Sequence, residues 1–431
     1  MLATLDTLAG ADLTPSFWAE FAGRHWERAP LVLRQPLAEP LIGSNALFGA
    51  LRRAAQVFLN LKQQRHAPQF SRVRFFVDGA ELLTDIAARL PGPTDHKSTD
   101  YFARLDDLLA NRAGELVIHD LQEHSYELWS GLRRFLAGLY THVGLPAAHA
   151  DAVAILRTRG RNSFGLHRDD ASVFMFVLEG HKRILLWPEQ DMLGQEHLLA
   201  TTQFEQLRQR AIVLEGKPGD VLYWPSTYWH VGDDDGAPSV SINLGLHLWP
   251  PSLPALSQLS QLARRHVREQ LGATWPCNPH DLPASALAIP EAMRTSLRAA
   301  RGLSRAPRLE SYLQFHWLKR VTGAGFMRVP PMTPHRSLDD DDRLQTAQGE
   351  PTVRVSLSEG QTAFSAAGHA HVVPSSDALD RLFDRLNDGP TTVGSLLAAC
   401  IRHSNPERER ELRDVLERLL RYRALVLVSS Q

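Results

Sequence analysis

At 431 residues the chain is too long for one compact core, so two or three domains are expected. With 43% hydrophobic and 22% charged residues it is ordinarily globular, which excludes wholesale disorder, and a formal net charge of −1 gives no reason to expect a nucleic-acid partner. The two cysteines, Cys277 and Cys400, are far apart and in no CxxC or CxxH pattern, so neither a disulfide framework nor a zinc site is expected.

The N-terminus, Met1-Leu2-Ala3-Thr4-Leu5-Asp6, lacks a basic region followed by an apolar core. No apolar run approaches the ~18 residues of a membrane span. A soluble cytoplasmic protein without membrane contact is the expectation.

Residues 1–150 read as mixed α/β. Ser16 to Arg24 is a short helix, and His25-Trp26-Glu27-Arg28-Ala29-Pro30 leads into a strand at Leu31-Val32-Leu33. Val73 to Val77 is another strand. Tyr126 to Val143 carries Leu128, Leu132, Phe135, Leu136 and Leu139 at helical spacing, with Gly144 and Pro146 as its stop.

From about 151 the pattern changes to short strands between Gly, Pro and Asp turns. Ala152 to Arg157 is a strand, whereas His149-Ala150-Asp151 looks like a helix-to-strand connection. Val173 to Leu178 and His181 to Trp187 flank a tight turn at Glu179-Gly180 and form a hairpin. Val221 to Trp224, Trp229 to Val231 and Ser239 to Leu246 complete a set that suggests a β-barrel or sandwich.

Residues 252–330 turn helical, over Leu253 to Leu271 and Pro283 to Leu303. Asp339-Asp340-Asp341-Asp342 reads as a solvated turn or linker. The tail from about 350 is a separate module: a strand at Val353 to Leu357, helices over Asp377 to Leu386, Thr391 to His403 and Pro406 to Arg423, and a strand at Ala424 to Val428. This order resembles a winged helix. The last helix mixes its arginines with Glu407, Glu409, Glu411, Asp414 and Glu417, as in a solvated face with i,i+4 pairs, which weakens a DNA-binding reading.

Chemistry concentrates in His167-Arg168-Asp169, Lys182 and His230. Residues i and i+2 of a strand share a face, so His167 and Asp169 can meet one ion while Arg168 points away. His230, borne by a later strand, would complete the two-histidine, one-carboxylate facial triad of non-heme iron oxygenases, which leaves positions for other ligands. A single H-x-D is weak, and the chain has a second at His149-Ala150-Asp151. A lone His230 is more often an ordinary hydrogen-bonded histidine. Only the motif at His167 is followed by a hairpin with an inward lysine and then a strand-borne histidine.

Lys182, Ile184 and Leu186 share one strand face, and two aliphatic members mark that face as interior. A buried ammonium needs an anion, and breaking a buried ion pair typically costs ~3–5 kcal/mol. A bound dicarboxylate would meet that need; a protein carboxylate, or snorkelling to the rim, would also do so. Ser241, Asn243 and Gly245 share a small, polar face that could admit a co-substrate or simply face solvent.

Gly165 to Phe174, Glu179-Gly180-His181-Lys182-Arg183, Pro218 to Pro225 and Trp229-His230, with Phe21 to Leu33 upstream, resemble the JmjC branch of the cupin superfamily, particularly its ribosomal-oxygenase-like group. The resemblance is specific over 150–250 and looser elsewhere. It implies a mainly β core, a double-stranded β-helix or jelly roll, within a JmjC/cupin domain over 1–250. A helical dimerisation region over 251–340 and a winged-helix-like α/β domain over 350–431 would follow.

The same resemblance implies Fe(II) on His167, Asp169 and His230, with 2-oxoglutarate and dioxygen as co-substrates. Lys182 falls where such hydroxylases set a cation against the distal carboxylate of 2-oxoglutarate, and Asn243, with Ser241 beside it, falls near a co-substrate contact. The implied reaction hydroxylates a side chain in a polypeptide, such as a ribosomal protein, by a homodimeric enzyme. The stretch Arg159 to Phe164 departs from the glycine-rich opening of the group, and Arg161 and Arg168 are candidate substrate contacts. Two other readings stay open: an oxygenase acting on a free amino acid or other small molecule, and a non-catalytic ligand-sensing scaffold or regulator using the winged helix.

Overall fold

A computed structural model describes residues 7–9, 13–63, 72–159, 163–198, 204–233, 236–248, 298, 301–302, 307–401 and 405–428. The chain forms two compact units, one of residues 1–249 with 324–331, the other of residues 250–323 with 332–431. The helices expected over Leu253 to Leu271 and Pro283 to Leu303 lie almost entirely outside the described residues.

In the first unit the strands are β1 (Thr7–Ala9), β2 (Leu31–Arg34), β3 (Val73–Val77), β4 (Ala80–Glu81), β5 (Gly114–Ile118), β6 (His149–Arg157), β7 (Ala171–Glu179), β8 (Lys182–Pro188), β9 (Ile212–Gly216), β10 (Val221–Trp224), β11 (Tyr228–Gly232) and β12 (Ser239–His247). Four helices accompany them: α1 (Pro15–Arg24), α2 (Ser44–Gln63), α3 (Ser98–Leu109) and α4 (Tyr126–Val143). Nine strands make one sheet in the order β1-β2-β10-β7-β12-β6-β5-β3-β4, and β11-β8-β9 make a second. All pairings are antiparallel except β1 with β2. Side chains from β7 on the large sheet and β8 on the small sheet line one cavity, so the two sheets face each other as a jelly roll.

Strand β7 shows how alternation builds this interior. Val173 and Met175 face the cavity. Phe174 and Phe176 point to the opposite side, where Phe135 of α4 meets them at ring separations of 5.2 and 5.0 Å. Both faces are covered, which is why β7 reads as an apolar run rather than an alternation. Trp18 of α1 joins this layer at 5.3 Å from Phe135. The helix pair closes over Gly138, where a Cβ would lie 2.1 Å from the Trp18 ring. Local signals fix the helix starts: Thr14 caps α1 by accepting from the Phe17 amide, with proline in the first turn, and Ser125 caps α4 by accepting from the Leu128 amide.

The second unit holds β13 (Arg343–Thr346), β14 (Val353–Leu357), β15 (Gln361–Ala366), β16 (His369–Pro374), β17 (Thr391–Thr392) and β18 (Leu425–Leu427). Its helices are α5 (Pro307–Thr322), α6 (Asp377–Arg385), α7 (Val393–Cys400) and α8 (Pro406–Arg421). The strands form two three-stranded sheets, β17-β13-β18 and β14-β15-β16. Phe364, Leu382, Leu396, Leu416 and Leu419 belong to its buried core. The acidic run is folded into this unit, with Arg413 bonded to Asp340 at 2.6 Å and Arg336 to Asp342 at 3.0 Å. On α8, Arg413–Glu409 and Arg418–Asp414 pair at i,i+4 as expected. Among the described residues, no helix is long and apolar enough to cross a membrane.

Candidate metal centre

His167 and Asp169 sit in the connection before β7 rather than inside a regular strand. Strand alternation is therefore not what brings them together, contrary to the sequence expectation. His167 is instead locked to His230 of β11 by an isolated antiparallel bridge, with N–H···O distances of 3.0 and 2.7 Å in the two directions. The two imidazole centroids are 4.2 Å apart. Asp169 reaches both rings: its carboxylate oxygens lie 3.9 Å from His167 Nε2 and 3.5 Å from His230 Nε2. Arg168 turns away and pairs with Glu189. Arg161 lies outside the described residues.

These three residues are the one group of metal-ligating type that converges among the described residues, each offering an atom within 4.8 Å of the others. Protein nitrogen and oxygen ligands bind such ions at ~2.0–2.2 Å. Both histidine–carboxylate separations are under twice that length, so one ion fits between them. The protonation states suit the task. His167 Nδ1 lies 2.9 Å from the Gly165 carbonyl, which can only accept, so Nδ1 is the donor there and Nε2 is the ring nitrogen that faces Asp169. Burial, and then the neighbouring His167, push His230 down to about 4 against the pull of Asp169, so its ring is neutral at pH 7. Two imidazoles and a carboxylate form a donor set suited to a divalent transition metal.

The cluster opens into a cavity of about 340 Å³. Lys182, 2% exposed, lines it together with Ile184, Met175 and Trp224. Asn243 and Gly245 line it from β12. The oxygens of Asn243 and Ser241 are buried with no hydrogen-bond partner among the described residues. On the polar face of β12 Ser241 and Gly245 are buried and Asn243 and His247 half-buried, so that face turns to the cavity rather than to open solvent.

Sequence reasoning missed a second polar cluster on the same cavity. His149, Ala150 and Asp151 belong to β6 rather than to a connection. Asp151 lies opposite Gly245 in the β6–β12 register. Its carboxylate meets His247 Nε2 at 3.1 Å and His119 Nδ1 at 4.0 Å. Gly245 provides the room, since a Cβ there would lie 2.6 Å from the Asp151 oxygen. The available signal was the period of β12, which runs Ser241, Asn243, Gly245 and on to His247.

Burial alone would raise the Asp151 carboxyl, but the two histidines outweigh it and hold it well below the usual range. Burial would lower His247, but the bond to Asp151 wins and raises it. The acid therefore stabilises the fold above its unfolded pKa of ~3.9, and the histidine does so below its unfolded pKa of ~6.5. Stability from the pair is complete between those values and fades as pH rises through the folded pKa of His247. Asp151→Asn is expected to cost more stability at pH 5 than at pH 8. Denaturant unfolding at both pH values checks this; an equal cost at both would refute the ion pair.

A jelly roll in which His167, Asp169 and His230 converge at a cavity has a cupin-type fold. Residues 142–252 match the family model of the JmjC domain. Over that stretch the chain is similar to JmjC domains. A curated relative, ribosomal oxygenase 1 of Gallus gallus, is 27% identical over 227 residues, which is 51% of this chain and 33% of that protein. The match thus spans about a third of the relative's length. The crystal structure of the Escherichia coli ribosomal oxygenase YcfD aligns over 95% of this chain and 98% of that one, with a TM-score of 0.51 at 18% identity. A structure of YcfD with cobalt and succinic acid aligns over 96% and 98%, with a TM-score of 0.49 at 16% identity. At these identities the likeness speaks for fold alone.

Proposed function

We propose that the chain is an Fe(II)- and 2-oxoglutarate-dependent oxygenase that hydroxylates a side chain in a polypeptide, with a ribosomal protein as the favoured substrate. The observation that carries this reading is the convergence of His167, Asp169, His230 and the buried Lys182 on one cavity. His167, Asp169 and His230 would hold the metal, and Lys182 would pair with the distal carboxylate of the co-substrate. The unpartnered oxygen of Asn243, which lines the cavity, is a polar group that a co-substrate could use, and that of Ser241 lies two positions before it on β12. Bound there, iron and 2-oxoglutarate would supply activation of dioxygen and oxidation of a C–H bond, the co-substrate leaving as succinate and carbon dioxide. The protein's part is to orient these groups and exclude water, and Val173, Met175, Ile184 and Trp224 supply an apolar lining for it. Asp169 is 43% exposed, so a metal held there would lie toward the cavity mouth, where a side chain of a larger substrate could enter.

The name of the curated relative favours a ribosomal protein as substrate. In this reading residues 1–250 are the oxygenase domain, 251–340 a helical region for homodimerisation and 350–431 a winged-helix-like domain serving architecture in a cytoplasmic enzyme. Anaerobic titration of the apo-protein with Fe(II) and 2-oxoglutarate is expected to produce the visible charge-transfer band of the chelate. Admitting air in the presence of extracted ribosomal proteins should then add one oxygen atom to a single protein, read by mass spectrometry. Absence of the band would overturn the iron and co-substrate assignment; a band with no modified polypeptide would point to a small-molecule substrate.

A further inference from the structure

The segment between α1 and β2 contains one residue that bonds to the chain just after Asp169 and just before His230. Glu27 has φ +53°, a left-handed conformation that non-glycine residues seldom adopt. Asparagine and glycine are the usual occupants of such positions, so a glutamate there points to a demand on its side chain. That side chain accepts hydrogen bonds from the Ser172 hydroxyl, the Ser226 hydroxyl and, at 3.2 Å, the Ser226 amide. The Glu27 amide donates to the Tyr223 hydroxyl at 3.0 Å, and that hydroxyl lies 3.2 Å from Ser172 Oγ. Burial raises the Tyr223 phenol, so it stays protonated and able to donate onward.

The positions of the two serines give this network its meaning. Ser172 is the second residue of β7, just after the Asp169 connection. Ser226 lies in the turn between β10 and β11, just before His230. One carboxylate thus joins the segment that carries Asp169 to the segment that carries His230. The histidines are already held to each other by their backbone bridge. Asp169 is outside that bridge and is 43% exposed, so its distance from the rings is the looser coordinate of the triad.

We propose that Glu27 is a positioning residue for the metal centre, setting the separation of Asp169 from His167 and His230 through Ser172 and Ser226. The inference rests on reading those three residues as metal ligands. Groups that orient ligands from behind typically change metal affinity about 10–100-fold when removed.

The test is titration of the full-length apo-protein with Co(II) under argon, following the visible d–d absorption, beside thermal unfolding of each apo variant. Glu27→Asn suits the positive φ but is too short to span both serines. It should keep or raise the apo melting temperature while weakening Co(II) binding about tenfold or more and altering the absorption. Ser226→Ala should weaken binding in the same direction, and the double variant should lose less than the sum, because both act through one network. Wild-type affinity and spectrum in Glu27→Asn and Ser226→Ala would overturn the proposal. So would affinity losses that simply follow falling melting temperatures, the result of a merely structural role. Absence of Co(II) binding by the wild type would instead overturn the metal-site reading, and this inference with it.

Discussion

Asp169→Ala is expected to abolish stoichiometric metal binding while leaving the apo fold intact. The carboxylate is the only anionic member of the triad and lies within 4 Å of both histidines. Without it, two imidazoles remain, and two ligands from one bridge cannot cap a face of an ion. Residues that only orient ligands already cost about 10–100-fold in affinity, so a ligand itself should cost at least the upper end of that range. Asp169 is 43% exposed, and surface substitutions usually change stability by less than ~0.5 kcal/mol. His230→Ala makes a useful contrast, because that residue is 5% exposed and its ring packs, tilted, 5.1 Å from Trp224. It should lose metal and stability together. Metal content after Fe(II) loading, measured beside denaturant unfolding, separates the two variants. An Asp169→Ala protein that retains one equivalent of iron would sink the triad.

The unequal legibility of the site has a physical cause. His167, Asp169 and His230 stood out because a short motif, a lysine-bearing strand and a strand-borne histidine follow one another in the chain; the hairpin expected of β7 and β8 does not form, since the two strands lie in different sheets and do not pair. The mechanism of their convergence was not legible: a backbone bridge between two distant residues does the work that strand alternation was expected to do. The Asp151–His247 pair was hidden for a similar reason. Its members lie 96 positions apart and meet only through the β6–β12 register. Strand β5 was missed because Gly114 to Ile118 is buried on both faces, and a short buried strand carries no alternation to read. Helix α2 did carry a signal, in Leu47, Phe48, Leu51, Ala54 and Ala55, all buried at helical spacing. In the second unit α6 to α8 were readable, but β15 and β16 were not, since their pairing is settled by a turn and by packing around Phe364 rather than by a repeating pattern.

Lys182→Ala should raise the 2-oxoglutarate requirement by about two orders of magnitude or more. The ammonium is 2% exposed and lines the same cavity as the triad, on a strand that also sends Ile184 inward. A carboxylate entering that space meets little water, so the charge partner decides whether it stays. Removing one member of a buried ion pair costs ~3–5 kcal/mol. Each 1.4 kcal/mol is about a factor of ten, which converts that range to roughly a hundred- to a few thousand-fold. The loss should fall mainly on co-substrate affinity, with metal binding in its absence unchanged, because Lys182 does not belong to the ligand cluster. Lys182→Arg keeps the charge and should restore most of the affinity if its longer fork can be seated. Titrating each iron-loaded variant with 2-oxoglutarate under argon gives the answer directly. If Lys182→Ala saturates at the wild-type concentration, the lysine serves the fold, and the co-substrate carboxylate must be held by another cation of the cavity wall, Arg74 or Arg157.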